Sequence, residues 1–151
     1  MNWGFNGAEF SFKGLGYFGV GALSGALTAG VSAGISSSLG GGTFGAGFWG
    51  TSTKEIAKSS FGNGLLIGAG AGATSGFTVG MGNALVNGYS FKDSFNKGLA
   101  GAGIGAVFGG LFEGVSQGWR ATRNGRSFWN GDISIEEKLD DGSFRTILKI
   151  P

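Results

Sequence analysis

Three groups of residues in this sequence have types and spacing that could do chemistry. Gly101-Ala-Gly103-Ile-Gly-Ala106 fits the G-x-G-x-x-A pattern that cradles a dinucleotide pyrophosphate at a helix N-terminus. Glu136, Glu137, Asp140 and Asp141 are close enough in sequence for a general acid–base pair. Arg120, Arg123 and Arg126 form a basic cluster of the kind that contacts phosphate. Each has a plainer explanation. No apolar strand precedes Gly101, and in a chain with 35 glycines such a match arises from composition. The carboxylates lie in and beside a D-G turn, where they are solvated. Three arginines at the end of a helical segment cap it or stay in water, and a net charge of +2 argues against nucleic acid as a partner. Histidine and cysteine are both absent. That removes the commonest general base, the Ser-His triad, thiolate metal sites and a disulfide framework. No enzymatic activity, cofactor or metal is expected. A small nuclease within 120–151 is disfavoured by the shortness of that segment and its lack of histidine.

The residues that dominate the chain are glycines, and their spacing bears on packing. Gly64, Gly68, Gly72, Gly76 and Gly80 form a row of period four. Gly21 and Gly25 continue into Ala29 and Ala33, and Gly101, Gly105 and Gly109 give way to Gly110, Gly114 and Gly118. Residues four apart share one face of an α-helix, whereas a strand would show period two. Five glycines in one helix cost about 5 kcal/mol of intrinsic propensity relative to alanine. The compensation is close approach: a smooth stripe admits a second helix and gains dispersion and Cα–H···O contacts. Small-xxx-small seams are most at home between helices in a bilayer. On this reading Gly72→Ala is nearly neutral and Gly72→Leu is damaging.

The elements that would carry these stripes can be drawn from the repeats. Phe61-Gly-Asn-Gly-Leu65 resembles Phe95-Asn-Lys-Gly-Leu99, and the segments they open close on Gly88-Tyr-Ser-Phe91 and Gly125-Arg-Ser-Phe128. A looser copy opens at Phe12-Lys-Gly-Leu15 and closes at Gly42-Thr-Phe44. The expected fold is mainly α: a glycine-zipper bundle of about three long helices over 1–131, in units near 10–48, 59–91 and 92–131, with a short β-hairpin over 132–151. A helix is predicted over 14–38, with Gly30 as a candidate break, then a loop over 39–50. A short helix over 54–60 is capped by Thr53, and a second long helix covers 62–86. An amphipathic start at 91–97, capped by Ser90, leads into a third helix over 98–121. Ile133–Leu139 and Ser143–Ile150 read as strands around Asp141-Gly142, a pair suited to a type I′ turn. A lone hairpin is marginal in water and is expected to dock on the rest.

Nothing from Gly14 to Thr53, or from Ser59 to Phe91, is charged. The segments 15–35 and 62–86 are long enough to span a bilayer. Glycine, alanine, serine and threonine dilute their hydrophobicity, so a soluble bundle with small-residue seams is the competing reading. Aromatics near segment ends, Trp49, Trp119 and Trp129 among them, fit either an interfacial belt or plugs over the ends of a bundle. The N-terminus has no basic region ahead of an apolar run and does not read as a secretory signal.

Asn124-Gly-Arg-Ser-Phe-Trp-Asn-Gly131 resembles the N-F-W-x-G phrase that follows glycine-rich segments in Rhs-type polymorphic toxins, which are large secreted bacterial proteins. Asn6-Gly-Ala-Glu-Phe10 and Ser90-Phe-Lys-Asp-Ser-Phe95 are similar to the same region. The resemblance covers roughly residues 5–131. It implies the segment between the Rhs shell and a variable C-terminal toxin, in an effector that acts at a target-cell membrane. The implied partners are that membrane, the Rhs shell, and an immunity protein or chaperone, and a homo-oligomer is compatible. In the family a longer toxin module commonly follows the phrase; here only the 20 residues 132–151 do. Either a toxin lies outside this sequence, or the glycine-rich segment is itself the effector. The leading expectation is a membrane-active domain, pore-forming or toxin-translocating. The alternative is a soluble structural spacer between shell and toxin.

Overall fold

A computed structural model describes residues 12–50, 58–140 and 143–150. It has four helices, three of them long, and one two-stranded antiparallel sheet: α1 (Phe12–Leu39), α2 (Phe44–Phe48), α3 (Phe61–Val86), α4 (Phe91–Arg123), β1 (Ile133–Lys138) and β2 (Phe144–Ile150). The expected class, mainly α with three long helices and a C-terminal hairpin, is the observed one.

Local signals set the helix boundaries. Ser60 and Ser90 are N-caps whose hydroxyls accept from the N–H of Asn63 and Asp93, both at 3.2 Å. The three long helices end alike. Gly88 and Gly125 adopt φ of +81° and +68°, which lets Tyr89 N–H reach the Ala84 carbonyl and Arg126 N–H the Ala121 carbonyl. These are Schellman closures. Gly42 N–H bonds the Ser37 carbonyl in the same way at the end of α1. The repeated Gly-x-Ser-Phe phrases are therefore helix stops.

The start at 91–97 leads into the third helix as expected: α4 runs unbroken after its cap Ser90, with Gly98 buried inside it. Two expectations about boundaries change. Gly30 does not break α1, which is continuous. The predicted loop over 39–50 contains α2, capped by Thr43. The breaker Gly40-Gly-Gly42 hid this turn. It folds back so that the rings of Phe44 and Phe48 occupy the space where Gly34 and Gly30 would carry side chains. The Thr53 cap and residues 54–57 fall outside the described residues, and 58–60 are not helical.

The long helices form one layer. α3 lies in the middle, antiparallel to both neighbours, and no α1 Cα comes within 8 Å of an α4 Cα. The register follows from the contacts. Gly16 faces Val86, Val20 faces Gly82, and Ile35 reaches Gly70 on the α1 side, while Gly68, Gly72 and Gly76 meet Gly109, Gly105 and Gly101 on the other. One end of the layer thus holds the α1 C-terminus, the α3 N-terminus and the α4 C-terminus.

In the sheet Ile133 pairs with Ile150 and Lys138 with Phe144, with a register irregularity between Ile135 and Glu136. The expected turn residues Asp141 and Gly142 lie outside the described residues. The hairpin does not dock on a helix: among the described residues no strand Cα lies within 8 Å of a helix Cα. It is tied at its base by Asp132, which pairs with Lys58 at 2.8 Å and Lys149 at 3.4 Å and accepts from Asn130 Nδ2 at 2.7 Å. The Lys58 hydrogen bond, opposed by desolvation and reinforced by Lys149, holds the Asp132 carboxyl below its ordinary range. A depressed carboxyl stabilises the fold above the unfolded value and loses that contribution as pH falls through the folded one. Asp132→Asn at neutral pH should therefore reproduce what the native chain shows once acidified below the lowered Asp132 value, which lies under the ordinary aspartate value of about 4. The expected result is faster amide exchange over 133–150 with unchanged protection in α3 and α4. Equal slowing or speeding of both regions would refute the tether.

Candidate functional site

The seam between α3 and α4 is backbone against backbone. A methyl group built on Gly72 would collide with the Gly105 carbonyl, and one on Gly76 with the Gly101 carbonyl. The reverse holds too: methyls on Gly101, Gly105 and Gly109 would strike the carbonyls of Gly76, Gly72 and Gly68. Gly64 extends the row to the Glu113 carbonyl and Gln117, and Gly80 to the Lys97 carbonyl. Neighbouring glycines receive side chains instead. Phe61 lies on Gly114, Phe77 and Met81 on Gly98, and Phe128 on Gly118. A carbonyl oxygen opposite a bare Cα is the arrangement in which Cα–H···O contacts recur at helix interfaces. Even alanine does not fit at Gly72, contrary to the near-neutrality expected from propensity and small size alone.

Gly21 and Gly25 do not join the packing. A side chain on either would meet nothing within 4 Å, and both are exposed on the outer face of α1. The α1–α3 contact runs instead through Gly16, Gly70 and Gly82, with Ser24 and Ser75 hydroxyls 3.2 Å apart. A sequence signal for it exists: Gly70, Thr74, Thr78 and Gly82 form a second period-four row of small residues on α3, two positions away from the first. Two positions are about 200° of helix rotation, so α3 has small faces on opposite sides. That is why it lies between the other two helices.

The three tryptophans separate. Trp119 occupies the last turns of α4, and Trp129 packs edge-on against Phe61 and Phe128 at the same end of the layer. Trp49 does not lie at an end. It follows Phe48, whose ring is seated on Gly30, nine residues or about 13 Å back along α1. At the other end Tyr17 donates to Asn87 Oδ1 at 2.9 Å, and Lys97 Nζ stands 4.6 Å from the centre of the Tyr89 ring.

Burial is inverted relative to a water-soluble bundle. The hydrophobic residues fully buried among those described are two alanines, Ala84 and Ala121. The remaining buried positions are glycines and serines, among them Gly68, Gly110, Gly114, Ser24 and Ser94. The large apolar side chains point outward. On α4 Ile104, Val107, Phe108, Leu111, Phe112, Val115 and Trp119 form one continuous exposed stripe, with Phe112 81 % exposed. Phe12, Leu15, Phe18 and Leu23 do the same on α1, and Leu66 and Leu85 on α3. A soluble monomer rarely exposes an apolar patch longer than a few side chains. Helices that bury small residues and expose bulky apolar ones are built for a surrounding that is itself apolar. All three long helices are long and apolar enough to cross a membrane.

No known family, curated protein or solved structure matches the chain.

The candidate chemical motifs take no part in this arrangement. Gly101–Ala106 lies ten residues inside α4, on and beside the seam, away from any strand–helix junction. Glu136 and Glu137 sit in β1, in register with Thr146 and Arg145. Arg120 and Arg123 stand in the last turn of α4, where positive charge complements the helix dipole. Among the described residues no cluster of three His, Cys, Asp or Glu could hold a metal ion.

Proposed function

We propose that the chain is a membrane-inserting helical domain that opens or lines a passage through a target-cell bilayer as part of a secreted, Rhs-type antibacterial effector. The observation that carries the membrane part is the inverted burial, with glycine and serine inside and phenylalanine, leucine and isoleucine outside over three helices of spanning length. In water, exposing this surface would drive aggregation. In hydrocarbon it costs nothing, and the backbone seam provides the cohesion that the hydrophobic effect cannot. The effector part rests on the phrases at Ser90–Phe95 and Asn124–Gly131. Both are built into the ends of α4: Ser90 caps it, Gly125 stops it, and Phe128 and Trp129 fold back on Gly118 and Phe61. The role is physical, and no residue is assigned to catalysis.

The test is dye release from vesicles by the purified chain, beside vesicle flotation. Wild type should float with vesicles and release dye. Gly72→Leu, which forces α3 and α4 apart, should still float but lose release by an order of magnitude or more. A chain that stays soluble without detergent, and neither floats nor releases dye, would favour the spacer instead.

A further inference from the structure

Two rows of period four run along the exposed side of α4, and each ends on an arginine. One is Phe108, Phe112, Ser116 and Arg120; the other is Leu111, Val115, Trp119 and Arg123. Members of a row lie one above the other, and the rows are three residues apart, so they flank one groove. The groove consists of two concavities that meet. The first, about 530 Å³, is lined by the apolar members of both rows and Ser116. The second, about 400 Å³, is lined by Ser116, Trp119, both arginines and Asn124. Ser116, the smallest member of either row, and Trp119 belong to both.

The two parts differ in chemistry. The apolar part, from Phe108 to Trp119, rises about 16 Å, half the hydrocarbon thickness and so the depth of one leaflet. The polar part lies beyond it, where headgroups would begin. Among the described residues neither Arg120 nor Arg123 meets a carboxylate or another acceptor. Arg126 is engaged, its Nη1 donating to the Gly131 carbonyl. Asp132, at the same end, is held by Lys58 and Lys149. The helix closure already bonds the carbonyls of Arg120, Ala121 and Thr122, through the N–H groups of Asn124, Arg126 and Gly125. The end of α4 thus presents two uncompensated positive charges directly above an apolar slot.

We propose that this groove holds one anionic phospholipid, with its phosphate between Arg120 and Arg123 and an acyl chain laid between the rows toward Phe108. This rests on the membrane-inserting reading above. Charge complementarity selects the occupant. A guanidinium matches phosphate oxygens with two parallel N–H donors, and two guanidinium groups exceed the charge of one phosphodiester. A zwitterionic lipid would bring its own cation against the arginines; an anionic lipid does not. Trp119, 63 % exposed, lies where the apolar and polar parts join, the level at which tryptophan sits in membranes. A free phosphate or a nucleic acid would use the arginines and leave the apolar part empty.

The experiment places the full chain in phosphatidylcholine vesicles doped with phosphatidylglycerol brominated on its acyl chains, a contact quencher of tryptophan. The same dose of brominated phosphatidylcholine gives the reference. Trp119 reports on the groove, and the other tryptophans set a common baseline. Salt is kept at about 0.15 M, where charge attraction is screened beyond about 8 Å. Two basic side chains at a membrane surface put the expected preference for phosphatidylglycerol at up to about 30-fold in association constant. The double variant Arg120→Gln, Arg123→Gln should lose it. The double variant Lys92→Gln, Lys97→Gln removes the same charge from the other end of α4 and should keep it. Ser116→Phe, which fills the join without changing charge, should lose most of it. Excess inorganic phosphate or a short oligonucleotide should leave the wild-type preference in place, and removal by either would overturn the lipid assignment. Equal loss in both double variants would mean diffuse attraction rather than a site. Wild type quenched alike by both lipids, or a Ser116→Phe variant with full preference, would also overturn the groove. Membrane insertion would stand in all these cases. If neither brominated lipid quenches any variant, the membrane reading fails, and this inference fails with it.

Discussion

Gly72→Ala is expected to part α3 from α4, although alanine is the better helix former. The substitution gains about 1 kcal/mol of intrinsic propensity. Against that, the new methyl meets the Gly105 carbonyl carbon and oxygen and the Gly109 Cα, all of them backbone. A side chain in that position could rotate away, but a helix backbone can relieve the clash only by moving as a body. Because Gly68, Gly76, Gly101 and Gly109 lie on the same seam, moving one turn loosens the others. Overpacking of a tight core costs about 1–3 kcal/mol even where side chains can adjust. The net destabilisation should therefore be about 2 kcal/mol or more. Gly25→Ala provides the opposite sign from the same chemistry. Gly25 is helical and faces open space, so only the propensity gain operates and stability should rise by up to about 1 kcal/mol. Unfolding monitored by circular dichroism in mixed micelles measures both. Equal effects of the two alanines would mean that the seam is not where the glycine contacts place it.

The period-four row on α3 was legible because a helix is the only regular structure in which those five glycines share a face. The row could not say which stripes are used. Gly21-xxx-Gly25 on α1 obeys the same rule as Gly68-xxx-Gly72, yet only the second has a partner. The difference is set by α3, whose second small face, Gly70 to Gly82, takes Val20 and Ile35 from α1 and turns Gly21 and Gly25 away. That choice depends on which knobs fit which glycines, a pairwise property that single-helix periodicity does not contain. The α2 turn was hidden for a related reason. Phe44 and Phe48 have the helical spacing of four, but in a helix of only 5 residues, too short to register beside three consecutive glycines. What holds the turn in place is the vacancy above Gly30 and Gly34 on a different element. The hairpin was legible from its alternation and its D-G pair, whereas its attachment through Asp132 and Lys58, 74 residues apart, was not. Glu113 was not singled out by the sequence; the structure turns its Cβ onto Gly68 and away from the exposed stripe.

That stripe gives the sharpest division between a bilayer and water as the medium around α4. Ile104 lies opposite the middle of α3, one residue from Gly105 in the seam, and is 63 % exposed. In water, Ile104→Asp would exchange an exposed hydrocarbon for a solvated carboxylate. The fold would be nearly unaffected, within about 0.5 kcal/mol, and solubility would improve. In a bilayer the same change puts a charge into lipid about 10 Å inside a span, at up to about 3 kcal/mol on insertion scales, and removes the contribution of isoleucine as well. Vesicle partition should then fall by about 100-fold. The cost should depend on depth. Aspartate at Leu111, at similar depth, should cost about as much as at Ile104, and at Trp119, beside Arg120, least of all. A protein partner covering the stripe would give a different profile, with losses concentrated at a few anchors such as Phe108 and Phe112 and no gradient along the helix. A flat profile, or an Ile104→Asp chain that partitions and releases dye like wild type, would mean that lipid does not surround α4. The exposed phenylalanines would then have to be explained by a protein surface.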